Sequence, residues 1–113
     1  MCGIFGYVAR HHVDPETIAE CHRIQRHRGP DSEGGFSVNI DQWCVGFFHQ
    51  RLSILDLTDA ASQPVVDQEQ SRALSFNGEI YNYKEIQDAY TNVRKSNSDT
   101  LTLFDLLANK DIN

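Results

Sequence analysis

The chain has 113 residues, a formal net charge of −6 and 40% hydrophobic residues. This is enough apolar material for one packed domain, and the excess of acid disfavours binding to nucleic acid or to anionic membrane surfaces. No apolar run reaches the length of a membrane span, and the N-terminus lacks the pattern of a signal peptide.

The first third of the chain predicts a strand, a helix and a loop. Residues 3–8 (GIFGYV) are typical of a short buried strand. Asp14 suits an N-cap and Pro15 the first helical turn, so we expect a helix over residues 15–26. Its apolar side is expected at Ile18, Cys21 and Ile24. Residues 27–35 (HRGPDSEGG) are dense in Gly, Pro, Asp and Ser, and such a composition predicts a loop.

The middle of the chain predicts a hairpin and a further strand. Residues 36–40 and 43–49 alternate as paired strands do, and Asp41-Gln42 would join them. A long polar connection containing Gln63-Pro64 follows. Residues 73–77 then predict a strand that leads into Gly78.

The last third predicts two helices. Asn82 and Glu85 have the spacing of a capping box, and Ile86, Ala89 and Tyr90 would form the apolar side of the first helix. The second helix would be capped by Ser98 or Asp99. Its apolar stripe is expected at Leu101, Leu103, Phe104, Leu106 and Leu107. Mixed strands and helices with antiparallel hairpins indicate an α+β fold.

Cys2 is the first candidate for chemistry. Removal of the initiator Met1 would leave its thiol and a free α-amine on one residue. An α-amine with a pKa of about 7.7–8.0 can take the thiol proton, which activates sulfur without a histidine. A cysteine at this position is by itself weak support for a nucleophile.

Several separated blocks then occur in a fixed order: MCGIFGYV, RHRGPDSEGG, HQRLSILDL, QP, FNGEIYNY and SNSD. Together they resemble class II glutamine amidotransferase domains, and most closely the glutaminase domain of the asparagine synthetases. The resemblance covers nearly the whole chain. It implies the αββα sandwich of N-terminal nucleophile hydrolases, of which this chain would form a part.

The resemblance also implies a role for individual residues. Cys2 would be the nucleophile, and the Asn77 amide with the Gly78 N–H would form the oxyanion hole. Arg51 would hold the α-carboxylate of L-glutamine, since a guanidinium can grip a carboxylate with two hydrogen bonds. The remaining substrate contacts would come from Leu52, Ser53, Ile54, Glu79 and Asp99, the two acids receiving the α-ammonium group.

Other features of the sequence favour structural roles. The five histidines match no zinc-site spacing, and no metal site is expected. Cys21 and Cys44 are predicted to be core residues, and three sparse cysteines suit a reducing cytoplasm. In the loop at residues 27–35, His27, Arg28 and Asp31 are expected to support its architecture through charge pairs rather than to act in catalysis, although the second role stays open.

The reaction that the resemblance implies is hydrolysis of glutamine to glutamate and ammonia through a Cys2 thioester. The ammonia would serve ATP-dependent asparagine synthesis in a longer protein. Residues 1–113 would then be the N-terminal portion of the amidotransferase domain. ATP and magnesium would be needed only by a synthetase domain, which has no counterpart in these residues, and a homodimer of the full-length protein is compatible with the resemblance. Two alternatives remain: an amidotransferase that modifies a surface sugar, and a non-catalytic fragment.

Overall fold

The computed structural model describes residues 2–52 and 62–108. In this part of the chain, two antiparallel sheets combine with three α-helices, which confirms the mixed character expected of an α+β fold. The strands are β1 (Gly3–Ala9), β2 (Ser32–Ile40), β3 (Trp43–Arg51), β4 (Val65–Val66) and β5 (Ala73–Leu74). The helices are α1 (Pro15–Gln25), α2 (Tyr83–Ala89) and α3 (Asp99–Ala108).

The larger sheet has the strand order β1-β3-β2, with both pairings antiparallel. Asp41 and Gln42 turn the chain between β2 and β3, as predicted, and Ile40 pairs with Trp43 across the turn. Asp41 has a φ of 53°. This left-handed conformation is tolerated by Asp better than by most residues, because its short polar side chain can bond locally.

One face of this sheet packs on α1 through aromatic contacts. The ring of Phe5 stacks on Phe48 with 4.8 Å between centroids, and its other neighbour is His22 of α1, edge-on at 4.8 Å. The Asp14 side chain accepts a hydrogen bond from Glu16 N at 3.0 Å, which confirms it as the N-cap. The buried residue of α1 is His22, whereas Ile24 is 57% exposed, so the predicted apolar side was wrong there.

His22 is buried because the sheet supplies a polar partner. Gln50 Nε2 lies 2.6 Å from His22 Nδ1 and donates to Glu33 Oε2 at 3.0 Å. A buried polar side chain is tolerated when its hydrogen bonds are made. Hydrophobic periodicity carries no signal for such a residue.

The predicted loop over residues 27–35 was wrong in most of its length. A 3₁₀ helix, Arg26–Arg28, continues from α1, and β2 already begins at Ser32. The glycines in this stretch pair within the sheet: Gly34 lies opposite His49 and Gly35 opposite Phe48. A Cβ on Gly35 would lie 2.6 Å from the Phe48 ring, so these glycines permit close packing rather than a turn.

The smaller sheet pairs β4 with β5, with Val65 opposite Leu74. The sequence did not predict β4, which follows the cis Gln63-Pro64 peptide. The predicted strand over residues 73–77 ends at Leu74. Phe76 N donates instead to the side-chain oxygen of Gln63 at 2.5 Å, so it is not used in a strand ladder.

The two last helices form where they were predicted. In α3 the predicted Leu101 and Phe104 are buried, whereas Leu107 is 43% exposed. Asn82 occupies the N-cap of α2 without a side-chain cap hydrogen bond, so the capping box with Glu85 was wrong. At α3 the hydroxyl of Ser98 accepts from Leu101 N at 3.2 Å, which makes Ser98 the cap.

The buried residue of α2 is Gln87, not the predicted Ala89 and Tyr90, which are exposed. Gln87 Nε2 donates to Thr102 Oγ1 at 2.7 Å and so links α2 to α3.

A bidentate ion pair fixes α3 to the segment before it. Arg94 Nε and Nη2 each donate to a different oxygen of Asp105 at 2.7 Å. Asp105 is only 7% exposed, and burial by itself would raise its pKa. The hydrogen bonds and charge of Arg94 outweigh burial and lower the pKa of this carboxyl.

The second face of the larger sheet is covered incompletely. A cleft of about 550 Å³ separates it from β5 and from the C-terminal turn of α3. The sheet residues that line it are Phe36, Val38, Ile40, Val45 and Phe47. Among the described residues, no helix is long and apolar enough to cross a bilayer.

Candidate functional site

Three segments of the described chain contact Cys2, which lies just before β1. They are the 3₁₀ helix Arg26–Arg28, the end of β3, and the loop between β5 and α2. Gly3 pairs with Gln50, so the antiparallel register brings Cys2 level with the end of β3. We call residues 75–82, between β5 and α2, the Asn77 loop.

The sulfur of Cys2 lies against the backbone of Leu52. Leu52 N donates to Sγ at 3.4 Å, and Sγ lies 3.9 Å from the Leu52 carbonyl oxygen. The thiol is half-buried and unoxidised. It is therefore both fixed by the end of β3 and accessible from outside, as a nucleophile has to be.

The side chain of Asn77 also reaches Cys2. Asn77 Nδ2 donates to the Cys2 carbonyl oxygen at 3.1 Å, over a separation of 75 residues in sequence. An amide NH₂ group carries two hydrogens, so this contact leaves the other hydrogen for a ligand. Of the predicted residues, the structure thus brings Cys2, Leu52 and Asn77 into direct contact.

Asn77-Gly78 does not form a hairpin turn, although that is the common role of the pair. A two-residue type I′ turn needs a positive φ at both positions, and neither residue has one. Both are exposed, and the chain continues into α2 rather than into a paired strand. A Cβ on Gly78 would lie 3.0 Å from the Phe76 ring, which shows that this ring lies under the glycine.

The side chain of Asp99 links the Asn77 loop to the N-terminus of α3 through hydrogen bonds. Its Oδ2 accepts from Ile80 N at 2.9 Å, and its Oδ1 accepts from Thr100 N at 2.8 Å. Both oxygens therefore hold backbone groups. Asp99 is linked to the Cys2 region through the loop rather than by a direct contact.

Glu79 lies in the Asn77 loop and Arg51 is the last residue of β3. Glu79 is exposed, and its hydrogen bond and charge raise the pKa of the neighbouring Tyr81 hydroxyl. Arg51 is half-buried at the end of β3, and its charge helps to lower the pKa of His49. Ser53 and Ile54 lie outside the described residues.

One contact at Cys2 was not predicted. Arg28 Nε donates to the Cys2 carbonyl oxygen at 3.4 Å, so the 3₁₀ helix supplies a cation beside the site. Sequence reasoning favoured an architectural role for this residue. Its place in the RHRGPD block was the only signal that could have identified it.

The other predicted features lie away from these contacts. Cys21 and Cys44 are free and half-buried rather than fully in the core. Within residues 2–52 and 62–108, no three His, Cys, Asp or Glu side chains are grouped so that they could hold a metal ion.

Comparison with known proteins gives a consistent set of relatives. Residues 1–111 match the family model described as glutamine amidotransferase domain. Asparagine synthetase (glutamine-hydrolyzing) 2 of Bacillus subtilis is 41% identical in an alignment that is 121 residues long, including gaps, and covers 99% of this chain. Asparagine synthetase (glutamine-hydrolyzing) 1 of Bacillus subtilis and asparagine synthetase B (glutamine-hydrolyzing) of Escherichia coli are each 38% identical over 93 residues, covering 78% and 80% of this chain.

These relatives are much longer proteins. The aligned regions cover 15%, 14% and 16% of their lengths, so the chain spans only a small part of each.

Proposed function

The chain belongs to the glutamine amidotransferase domain family, and from that premise we propose that it hydrolyses the side-chain amide of glutamine at Cys2. The observation that carries the proposal is the meeting of Cys2 with Asn77 and Leu52 across long sequence separations. It brings an amide donor to the backbone of the half-buried residue that carries the thiol, and acyl transfer requires a nucleophile and such a donor in one site.

The reaction begins with attack of the Cys2 sulfur on the carboxamide carbon of glutamine. The thiol proton passes to the α-amine of Cys2 once Met1 has been removed. The carbonyl oxygen becomes an oxyanion, for which the Asn77 amide and the Gly78 N–H are the proposed donors. Collapse of this intermediate expels ammonia, with the proton from the amine, and leaves a glutamyl thioester. Water then hydrolyses the thioester to glutamate.

Recognition of the substrate is assigned to charged groups around the thiol. Arg51 pairs with the α-carboxylate of glutamine. Glu79 and Asp99 face the α-ammonium group, and Leu52 to Ile54 line the substrate with backbone groups. The zwitterionic backbone of glutamine carries one positive and one negative charge. The cationic Arg51 and the acidic Glu79 and Asp99 provide the complementary charges, which favours a free amino acid as substrate.

The acceptor of the ammonia is proposed from the relatives, whose names describe glutamine-hydrolyzing asparagine synthetases. Ammonia would pass to an activated aspartate in a synthetase domain that uses ATP and magnesium in the cytoplasm. Residues 1–113 would be the front portion of an amidotransferase domain of the N-terminal nucleophile hydrolase type. The two antiparallel sheets and the helix packed on the larger sheet support this fold assignment.

Two substitutions in the full-length natural protein separate chemistry from binding. Cys2→Ala should abolish glutamate release while glutamine still binds within about threefold of the wild-type Kd, because the thiol reacts with the substrate but does not hold it. Arg51→Ala should weaken glutamine binding by about 2–5 kcal/mol, the usual effect of leaving one charge of a buried pair alone. Arg51→Lys is the matched control, because lysine keeps the positive charge but cannot make the bidentate hydrogen bonds of a guanidinium.

The measurements are calorimetric glutamine binding, enzymatic glutamate release and the intact mass of the active protein. The active form should begin at Cys2. Full activity with Met1 retained would contradict the amine as the base. Glutamate release by Cys2→Ala, or a wild-type Kd in Arg51→Ala, would contradict the assigned roles.

A further inference from the structure

The side chain of Gln63 makes two hydrogen bonds, one to the Asn77 loop and one to α3. Its side-chain oxygen accepts from Phe76 N at 2.5 Å, and its Nε2 lies 3.4 Å from Thr100 Oγ1. The backbone N–H of Phe76 can only donate, so the atom that faces it must be the amide oxygen. The NH₂ group then points to Thr100.

Phe76 is placed so that its position controls both proposed oxyanion donors. It directly precedes Asn77, whose amide contacts Cys2, and its ring lies under Gly78. A shift of the Phe76 backbone would therefore move the Asn77 side chain and the Gly78 N–H together.

Thr100 connects the same side chain to the second anchor of the loop. It is 7% exposed and follows Asp99, which holds Ile80 N at 2.9 Å. The loop is thus fixed near its start by Gln63 and near its end by Asp99. Gln63 joins the two anchors, since it bonds Phe76 and Thr100 at once.

We propose that Gln63 is a positioning residue for glutamine hydrolysis, which holds the Asn77 loop so that its amide donors face the reacting carbonyl. The inference rests on the proposed function, because it assigns Gln63 a role in that reaction. Gln63 does not touch the Cys2 sulfur and acts through Phe76. Its effect belongs to the transition state, where the oxyanion exists, and should appear in kcat rather than in KM.

The test compares Gln63→Met with Gln63→Glu in the full-length natural protein. Methionine has a similar length and cannot accept the Phe76 hydrogen bond, so kcat should fall by about tenfold to a hundredfold with KM within about threefold. Glutamate keeps an acceptor for Phe76 N and should restore kcat to within about threefold of wild type. Gln68→Met, the same change at an exposed glutamine, is the control and should leave kcat unchanged.

Titration of active sites separates positioning from loss of folded protein. A glutamine analogue with a diazoketone group alkylates the nucleophilic cysteine, and its stoichiometry gives the fraction of competent sites. A kcat per titrated site that stays at the wild-type value in Gln63→Met would overturn the inference and reduce Gln63 to a structural role. Equal loss in Gln63→Met and Gln63→Glu would also overturn it. If the wild-type protein itself releases no glutamate, it is the proposed function that fails.

Discussion

At the scale of single residues, the matched sequence blocks identify residues but not the contacts between them. Cys2 and Asn77 could be singled out from the sequence, and the structure brings them together. Two further contacts could not be predicted. The Asp99 carboxylate accepts hydrogen bonds from two backbone N–H groups, and Arg28 donates to the carbonyl oxygen of Cys2. Both depend on backbone groups that only the fold brings close, and a motif carries no record of such groups.

His49 is a buried residue whose surroundings set its protonation. It is 1% exposed, and neither ring nitrogen has a hydrogen-bond partner among the described residues. Burial, and secondly the charge of Arg51, lower the pKa of His49 to about 4. The imidazole is therefore neutral in the folded protein at neutral pH, whereas in the unfolded chain its pKa is about 6.5.

This difference predicts a loss of stability in mild acid. Above about pH 6.5, His49 is neutral in both the folded protein and the unfolded chain, so its titration does not reduce the stability of the fold. As the pH falls towards 4, the unfolded chain takes up a proton that the folded protein does not. The free energy of unfolding that protects β3 from exchange should then fall by up to about 3 kcal/mol. Hydrogen exchange of β3 peptides as a function of pH, corrected for intrinsic exchange rates, measures this quantity.

His49→Gln should flatten that pH dependence between pH 6.5 and 4, whatever its effect on absolute stability. His12→Gln, at an exposed position, should leave it as in the wild type. An unchanged slope in His49→Gln would show that another group is responsible for the acid sensitivity.

At the scale of elements, composition predicted most of the strands and helices but misjudged their ends. The Gly-rich stretch before residue 36 was interpreted as a loop because glycine favours turns. Its glycines instead lie within β2, where Gly34 faces the carbonyl of Gln63 and Gly35 faces the Phe48 ring. The sequence contains the glycines but not the partners that require them. Similarly, the buried sides of α1 and α2 contain His22 and Gln87, which hydrophobic periodicity does not detect.

The role of Gly35 in packing can be tested by adding one methyl group. A Cβ at this position would lie 2.6 Å from Phe48 Cδ1, and the ring is held in turn by Phe5. Gly35→Ala should therefore destabilise the larger sheet by about 1–3 kcal/mol, the usual cost of overpacking. Local hydrogen exchange of β2 and β3 provides the measurement.

Ser37→Ala is the matched control for Gly35→Ala, since Ser37 is exposed two residues further along the same strand and already carries a Cβ. Its effect should stay within about 0.5 kcal/mol. Equal stability of Gly35→Ala and Ser37→Ala would mean that the glycine is not needed for packing against Phe48.

At the scale of the whole molecule, the two faces of the larger sheet differ in how well they are covered. The face on α1 is covered at β1 and β3 by stacked and edge-on aromatic rings. The other face borders the cleft of about 550 Å³, and its apolar side chains are partly open to solvent. Phe47 is 37% exposed, Val8 68% and Ile40 54%. An uncovered sheet face of this kind favours association with other apolar surfaces.

We therefore expect the 113-residue chain, expressed alone, to self-associate and to release little glutamate. Catalysis needs the donors around Cys2 held within about 0.5 Å of productive geometry, and an incompletely covered sheet holds them less firmly. Val8→Thr should reduce self-association, because it makes the most exposed of these side chains polar and keeps its β-branched shape. Val93→Thr, at a position only 4% exposed, is the contrasting control and should lower stability instead. Sedimentation velocity, hydrogen-exchange protection and glutamate release provide the measurements. A monomer with a protected core and the turnover of the full-length protein would show that the open face is not a source of instability.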